Sequence, residues 1–388
     1  MTDGPMNSRP ARVLFLDHTP AVGGAELVLA THIAALDRSR FTPVVACTDT
    51  VPMLLDLYRD AGAEVHVLPM PQLRRASPMV LIAWWRASRV LRSLLRRLQV
   101  DLIVANTSRA AYIASLARVG TGVPLIWWVR DFLFGDLVFR LLSRSARRLI
   151  CVSAAIRDHY GGRGNPRFAV VHVGSPFDDE LTRVTDADVR AERARWGFTD
   201  NDVVVGFMGR LVEEKGPEDV LDAVAIAHAT DPRIRVLVVG SGRGQVGDVE
   251  DVVHARAAID GGASVVFAGF QREQALYYRL FDVFVLATRT PEPYATSVVQ
   301  AMMAGTPVIA TATGGTPELV RDGVTGLLVP PRAPRAIADA ILRLASSSAL
   351  RARLVEAAQS EVLAHNREAT TTALVESIYE EVLAPRPD

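Results

Sequence analysis

The sequence predicts an α/β fold of two domains, each built on a parallel sheet. Its 388 residues suffice for two domains of ordinary size. Short apolar segments alternate with helical stretches along the chain, a pattern typical of right-handed βαβ units. A glycine-containing turn follows the first predicted strand of each half, at Gly23-Gly24 and at Gly209-Arg210. Backbone N–H groups in such turns can approach a ligand phosphate.

Composition is that of a globular protein, with 49% hydrophobic and 22% charged residues. Cys47 and Cys151 lie in apolar segments, which indicates reduced core cysteines in a cytosolic compartment. Residues 13–16 are too short an apolar run for a secretory signal, and the longest uncharged stretch, 293–317, is too rich in Gly, Pro and Thr to span a membrane. We therefore expect a cytoplasmic protein, either soluble or peripheral at the inner face of the plasma membrane.

The first half predicts seven strands with helices between them. The first strand is followed by a loop at residues 19–24 and a helix at 25–36. The predicted strands cover 13–17, 43–47, 64–68, 101–105, 123–129, 149–152 and 168–173. Residues 178–202 are polar, charged and helical, which suits a connection between domains.

The second half predicts a similar alternation. Its strands cover 203–208, 234–239, 264–267, 282–286 and 306–310, and its later helices 295–304, 334–347, 350–363 and 370–383. Glu292 lies just before the helix at 295–304, and Gln300 follows eight residues later, roughly two turns along the same face. Ligands of open α/β sheets bind at this carboxyl edge, where helix N-termini favour phosphate.

Charge is unevenly distributed. Residues 1–178 contain 22 Arg against 13 acidic side chains, and Lys215 is the only lysine of the chain. Residues 74–99 combine seven Arg and no acid with aromatic and aliphatic side chains, and 131–150 repeat the mixture. Such helices either lie on anionic lipid or cover the sheet with a solvated Arg face, and both interpretations stay open.

The stretch from residue 291 to 326 resembles, in order and spacing, the donor-binding motif of the family-4 (group 1) retaining glycosyltransferases. The matching residues are Glu292-Pro293-Tyr294-Ala295, Gln300, Gly305-Thr306-Pro307-Val308 and Gly314-Gly315. Gln300 replaces the second acid of that motif, and Ala295 replaces its glycine. The resemblance implies the GT-B fold, in which two Rossmann-like domains face each other across a cleft. The expected domains are 1–176 and 177–364, with a C-terminal helix at 365–388 that returns to the first.

The resemblance also implies the donor site. The run Gly209-Arg210 to Lys215-Gly216 is similar to the family segment whose Arg and Lys bind the donor phosphates, and two cations on one loop suit a diphosphate. An ion pair of Lys215 with Glu213 or Glu214 is the alternative. Glu292 would accept hydrogen bonds from sugar hydroxyls and Gln300 would bind the ribose. The other implied donor-binding residues are Gly23, Gly24, Phe270, Tyr294, Ala295, Thr296 and Ser297.

Arg130 stands where many members of the family have histidine. It ends a predicted strand, followed by Asp131, and its guanidinium stays protonated, so it can bind a phosphate or a hydroxyl but cannot act as a base. A structural pairing with a nearby carboxylate is the alternative. His18, after the first strand, is a second candidate, for which a hydrogen-bonded loop histidine is the simpler interpretation.

We therefore expect a retaining glycosyltransferase of the hexosyltransferase type. It would use a nucleotide-diphosphate sugar and a glycan or glycolipid acceptor in polysaccharide or glycolipid biosynthesis. Arg210 and Lys215 would stabilise the leaving phosphate. No His or Cys cluster has ligand spacing, so no metal or cofactor is expected. No nucleic-acid partner is expected either. An anionic membrane is a candidate partner. The alternatives are a non-catalytic subunit that binds nucleotide sugars, and an epimerase or phosphorylase.

Overall fold

A computed structural model of the chain describes residues 9–19, 23–48, 52–70, 78–132, 135–243, 245, 247–259 and 264–385. The chain forms two units. The first comprises Met1–Gly174 with Glu368–Asp388, and the second comprises Ser175–Arg367. The predicted loop 19–24, basic segments 74–99 and 131–150, and C-terminal segment 365–388 each lie partly outside the described residues, at 20–22, 71–77, 133–134 and 386–388.

The first unit contains a parallel sheet that has seven strands in the described part of the chain. Their order across the sheet is β3-β2-β1-β4-β5-β6-β7. The strands are β1 (Ala11–Leu16), β2 (Phe41–Cys47), β3 (Glu64–Val67), β4 (Leu102–Ala105), β5 (Leu125–Val129), β6 (Arg148–Cys151) and β7 (Phe168–Val170). Between them lie α1 (Gly24–Ala35), α2 (Pro52–Asp60), α3 (Pro78–Arg97), α4 (Ser108–Ala117), α5 (Asp136–Ser143) and α6 (Ala154–His159).

The second unit contains a parallel sheet with six strands among the described residues, in the order β10-β9-β8-β11-β12-β13. The strands are β8 (Val203–Met208), β9 (Ile234–Val239), β10 (Val265–Gly269), β11 (Val283–Leu286), β12 (Val308–Thr311) and β13 (Leu327–Val329). The helices are α7 (Phe177–Leu181), α8 (Asp186–Arg195), α9 (Pro217–Thr230), α10 (Glu250–Ile259), α11 (Gln274–Leu280), α12 (Thr296–Met303), α13 (Thr316–Leu319), α14 (Pro334–Ala345) and α15 (Ser348–His365).

The predicted class of two parallel α/β Rossmann-like domains is confirmed. Buried Val, Ile and Leu side chains fill both faces of the central strands, which explains why these strands appear in the sequence as continuous apolar runs. One strand escaped prediction. β13 has only three residues, Leu327–Val329, and pairs with β12 at the sheet edge.

The polar segment 178–202 is packed on the second unit. Arg193 of α8 forms an ion pair with Asp282 at 3.1 Å, and Glu192 accepts a hydrogen bond from the Tyr277 hydroxyl at 2.6 Å. These contacts attach α8 to α11 and to the start of β11. The charged residues that suggest a connecting segment therefore serve as anchors within the unit.

A last helix, α16 (Glu368–Leu383), belongs to the first unit, where it packs against α1. Buried His32 of α1 is hydrogen-bonded through Nδ1 to Thr372 and through Nε2 to Tyr379, both at 3.0 Å. The α16 carboxylate of Glu376 accepts from the N–H of Asp37 at 2.8 Å. The interface is both apolar and fully hydrogen-bonded at His32, which favours one seating of α16.

The structure changes the account of the two basic segments. Arg92 is not on the free face of α3, because it donates to the carbonyls of Leu116 and Ala117 at 2.9 and 3.0 Å. Arg147 donates to the carbonyl of Val382, and Arg148 pairs with Glu381. Among the described helices, none is both long and apolar enough to cross a bilayer.

Candidate functional site

The second unit brings Lys215 and Glu292 together. β8 and β11 are neighbours at the point where strand order reverses, which is where open α/β sheets bind ligands. Lys215 follows β8 and Glu292 follows β11, and Lys215 Nζ lies 2.5 Å from Glu292 Oε2. The side chains are 22% and 13% exposed, so the pair is accessible but largely shielded from water. Two residues predicted to contact the donor therefore share one site.

Arg210 occupies the same loop but a different position. Its guanidinium pairs with Glu214 at 2.6 Å and is half-exposed. The alternative that paired Lys215 with a neighbouring acid is wrong, since the partner of Lys215 is Glu292. Exposed ion pairs contribute about 1 kcal/mol or less, so an arriving phosphate can compete for Arg210 at little cost.

The Gly-Gly turn supports the backbone of Glu292. Gly314 has a φ of +55°, and a Cβ there would lie 2.1 Å from the Glu292 carbonyl oxygen. The next residue, Gly315, donates its N–H to that oxygen at 2.7 Å. Only glycine combines this left-handed conformation with such a close approach. The turn thus fixes the loop that carries Glu292, and Gly315 is also the N-cap of α13, which begins at Thr316.

Tyr294, predicted to bind the donor, is buried in the second unit. Its hydroxyl accepts a hydrogen bond from Asn366 Nδ2 at 2.6 Å, and burial raises the Tyr294 pKa. The side chain therefore has a structural role, and its predicted contact with the donor stays a prediction. Asn366 caps the end of α15, which links the motif loop to that helix.

Gln300 is half-buried and faces α11. Its Oε1 accepts from the buried Tyr278 hydroxyl, and its Nε2 donates to Gln274 Oε1, both at 3.3 Å. These are long hydrogen bonds, and they use both ends of the amide. A glutamate here could keep the first contact but could not donate the second.

The remaining predicted donor residues of this unit are placed at the same edge or near it. Ala295 precedes the first turn of α12, which contains Thr296 and Ser297. Phe270 follows β10 and is 71% exposed. Exposed aromatic side chains of this size offer a flat apolar surface, the chemistry that stacks on a ring.

In the first unit, Arg130 follows β5. Its guanidinium packs over Trp128 at 4.0 Å, and burial lowers its pKa to about 10. Nε and Nη2 are buried and, within the described residues, have no hydrogen-bond partner. The alternative of a direct structural pairing with a carboxylate is therefore not observed in the described part of the chain.

Gly23 and Gly24 begin α1, and Glu26 occupies that helix terminus. The Glu26 carboxylate accepts from the Gly23 N–H at 2.9 Å, closing a capping interaction. Burial and then the Asp17 carboxylate raise the Glu26 pKa. An N–H group predicted to face a phosphate is thus already engaged by an internal carboxylate.

Sequence patterns missed a buried polar group beside this turn. The Tyr58 hydroxyl donates to Asp17, whose pKa burial raises, and Asn106 is fully buried with both amide atoms lacking partners among the described residues. The only sequence signal for Asp17 and Asn106 was a position directly after a strand, and Tyr58 lies on α2. His18 matches the simpler interpretation: its Nδ1 is 2.9 Å from Thr107 Oγ1, and burial lowers its pKa to about 4.

No group of three or more His, Cys, Asp or Glu side chains in the described residues is arranged to hold a metal ion. Arg130, Gly23 and Gly24 belong to the first unit. The other predicted site residues, including Lys215 and Glu292, belong to the second.

Both halves of the chain match models of known protein families. Residues 22–178 match the model of Glycosyltransferase Family 4, and residues 188–361 match that of Glycosyl transferases group 1. D-inositol 3-phosphate glycosyltransferase of Streptomyces bingchenggensis is 37% identical over 205 residues, which are 50% of this chain and 44% of the relative. The enzyme of the same name from Geodermatophilus obscurus is 36% identical over 191 residues, 47% and 41% of the two chains. The chain thus spans somewhat under half the length of these relatives.

Solved structures are similar over nearly the whole chain. Anabaena HepE in complex with UDP has a TM-score of 0.83 at 25% identity, covering 95% of this chain and 100% of that one. Its complex with UDP-glucose has a TM-score of 0.82, also at 25% identity, over 95% and 99%. A glycosyltransferase from Rickettsia africae shares the fold, with a TM-score of 0.82 at 18% identity over 97% and 100%.

Proposed function

Because this chain belongs to the group 1 glycosyltransferases with the GT-B fold, we propose that it transfers a sugar from a nucleotide-diphosphate donor to a hydroxyl acceptor. The observation that carries the proposal is the Lys215–Glu292 pair at 2.5 Å, at the carboxyl edge where strand order reverses. A cation for the phosphates and a carboxylate for hydroxyl groups stand side by side there. Two of the similar structures hold UDP and UDP-glucose, which supports a uridine nucleotide.

Arg210 and Lys215 would act on the leaving diphosphate. Negative charge develops on that group as the glycosidic bond breaks, and preorganised cations stabilise it. The family resemblance supports retention of configuration, in which the departing phosphate would take the proton of the acceptor hydroxyl. Glu292 would accept hydrogen bonds from the sugar, and Gln300 from the ribose. The reaction needs no metal for this charge balance.

Arg130 in the first unit would bind a polar group of a substrate. Its buried Nε and Nη2 lack partners among the described residues, so a ligand oxygen there would satisfy donors that burial otherwise leaves unpaired. The relatives named for inositol 3-phosphate suggest a polyol or phosphorylated acceptor as one candidate, and a glycan or glycolipid of the cell envelope as the other.

We further propose that the protein is cytoplasmic and binds anionic membrane through α3 and α5. Exposed apolar and basic side chains are mixed along each helix. They are Ile82, Trp85, Arg86, Arg89 and Val90 on α3, and Leu137, Arg140 and Leu141 on α5 with Arg144 directly after it. A surface groove of about 470 Å³ between α3 and α4 is lined by Trp85, Ser88, Arg89, Arg92, Leu116 and Val119. Apolar side chains mixed with cations and no acid on α3 suit the boundary of an anionic bilayer.

A mass-spectrometric screen of the purified protein with a panel of nucleotide sugars tests the activity. We expect slow release of free sugar and nucleoside diphosphate from one donor, and transfer when acceptors are added. Donor epimerisation, or use of inorganic phosphate to release a sugar phosphate, would establish a different enzyme. Donor binding with neither hydrolysis nor transfer would establish a non-catalytic subunit.

A further inference from the structure

Arg289 lies between β11 and α12 and forms a nearly buried, two-pronged ion pair. Its Nε and Nη2 donate to the two carboxylate oxygens of Asp219 at 2.8 Å each, and Glu218 Oε2 is 3.3 Å from Nη1. Both acids stand in the first turn of α9. The Arg289 side chain is 11% exposed, and its bond to Asp219 raises its pKa. Bidentate bonds of this kind fix orientation as well as distance.

The backbone of Arg289 holds the other side of the same loop. Its N–H donates to the carbonyl of Glu214 at 2.8 Å. Two residues later, Gly216 has a φ of +60°, and a Cβ there would lie 2.3 Å from the carbonyl oxygen of Ala287. The turn that contains Lys215 therefore rests directly on the segment that contains Arg289.

Arg289 thus contacts the chain on both sides of Lys215, at Glu214 before it and at Asp219 after it. It also stands three residues before Glu292, the partner of Lys215. Lysine has a flexible four-carbon stem, so the position of its ammonium depends on how firmly its backbone is held. A displacement of about 1 Å at a reacting group can cost on the order of 100-fold in rate.

We propose that Arg289 is a positioning residue that holds Lys215 beside Glu292 for a nucleoside diphosphate, without touching the ligand itself. This inference rests on the proposed function. It predicts a particular pattern of coupling. Removing Arg289 matters only while Lys215 is present to be positioned, so the effects of the two substitutions should not add.

Calorimetric titration of the full chain with UDP, GDP and ADP tests this. With the nucleotide that binds best, we expect Arg289→Met to weaken binding at least tenfold and Arg289→Lys to weaken it less, because lysine keeps the charge without the fork. The double variant Arg289→Met/Lys215→Ala should bind no more weakly than Lys215→Ala. Arg193→Met is the matched control, since Arg193 is 14% exposed and paired with Asp282 at the opposite end of β11. It should leave the affinity unchanged.

Three outcomes would overturn the inference. Wild-type affinity in Arg289→Met would show that Lys215 needs no such support. If Arg289→Met weakens binding equally in the wild type and in Lys215→Ala, the two effects add. Arg289 would then contact the ligand directly or stabilise the fold in general. Equal losses in Arg193→Met would show that any buried ion pair matters. If Arg289→Met does not fold, Arg289→Lys alone and combined with Lys215→Ala gives the same comparison. Failure of the wild-type chain to bind any of the three nucleotides would instead refute the proposed function.

Discussion

Lys215 is the residue on which the proposed chemistry depends most. Lys215→Ala should weaken donor binding or transfer by about 2–4 kcal/mol, because one preorganised cation is removed from the developing phosphate charge. Lys215→Arg should restore only part of the loss, since a planar guanidinium does not fit a site built for a compact ammonium. Initial rates at varied donor concentration measure both. Wild-type turnover in Lys215→Ala would refute the phosphate role.

Substitution of Glu292 should have opposite effects on the binding of UDP and on sugar transfer. In the free protein its carboxylate neutralises Lys215 at 2.5 Å. Glu292→Gln releases the ammonium, so UDP should bind more tightly, by up to about fivefold for a pair worth ~1 kcal/mol. Transfer should fall by about tenfold or more, because a neutral amide is a weaker acceptor for sugar hydroxyls. Weaker UDP binding in this variant would show that the pair supports the site rather than competing for it.

Gln300→Glu tests whether the amide is adapted to this chain. A carboxylate can accept from the Tyr278 hydroxyl and from ribose hydroxyls, so we expect donor affinity equal to or above that of the wild type. Gln274 must then turn its amide to donate rather than accept. Calorimetry with the preferred donor decides this. A tenfold loss of affinity would show that the Gln300 amide acts as a hydrogen-bond donor, and would contradict its proposed role as an acceptor for ribose hydroxyls.

At the scale of elements, α3 and α5 carry the membrane proposal. The variant Arg86→Glu/Arg89→Glu/Arg140→Glu should lose binding to phosphatidylglycerol vesicles, since each Arg near an anionic surface contributes about 1 kcal/mol. Sedimentation with the vesicles at low salt measures binding. Raised salt should release the wild type, because the Debye length falls to about 8 Å at 0.15 M and screens the attraction.

The control for this experiment reverses charge elsewhere. Arg335→Glu/Arg353→Glu changes two exposed arginines of the second unit and should leave vesicle binding intact. Arg92, Arg147 and Arg148 are unsuitable test sites because they bond within the first unit. Trp85→Ser should also weaken binding, since Trp85 is exposed on α3. Equal binding to neutral vesicles would return these helices to the interpretation of a solvated Arg face.

How far elements can be predicted from sequence depends on what defines them. The predicted bounds of β8 and β9 agree with the observed ones, because β8 has no charged residue, β9 is apolar except for Arg235, and both are largely buried in the sheet. β13 is three residues long, and its place is set by pairing with β12, which no local pattern reveals. Lys215 and Glu292 lie close together because they follow β8 and β11, which are neighbouring strands of one parallel sheet. The Arg289–Asp219 and Tyr294–Asn366 bonds join residues 70 and 72 positions apart, and only the fold brings them together.

At the scale of the whole molecule, α16 is separated from the rest of the first unit by the entire second unit in sequence. Its register on α1 is specified by His32, which lies between Thr372 and Tyr379. The chain therefore completes its first unit only after residues 368–383 are made. With α16 packed on α1, the imidazole of His32 is a buried titratable group in the first unit.

Burial and then the charge of Arg130 lower the pKa of His32 to about 3 from 6.5. Thr372 and Tyr379 of α16, Phe15 of β1 and Trp128 of β5 surround the ring, and among them only Tyr379 can ionise. A group with a depressed folded pKa contributes stability above its unfolded pKa and loses it as pH falls. Between pH 8 and pH 5 the loss should be about 2 kcal/mol, because the unfolded imidazole takes up a proton that the folded one refuses.

Urea unfolding of wild type and His32→Gln at pH 8, 6.5 and 5 measures this loss. Glutamine keeps a donor and an acceptor but does not titrate. In a Trp196→Phe background, the tryptophans all lie in the first unit, so fluorescence follows that unit alone. The raised pKa values of Asp17, Glu26 and Glu368 act in the opposite direction, stabilising the fold on acidification, and they are common to both proteins. The difference between the two proteins should therefore shrink by about 2 kcal/mol on going from pH 8 to pH 5. A difference that does not change with pH would mean that His32 has the same pKa in the folded and the unfolded state, and that burial does not lower it.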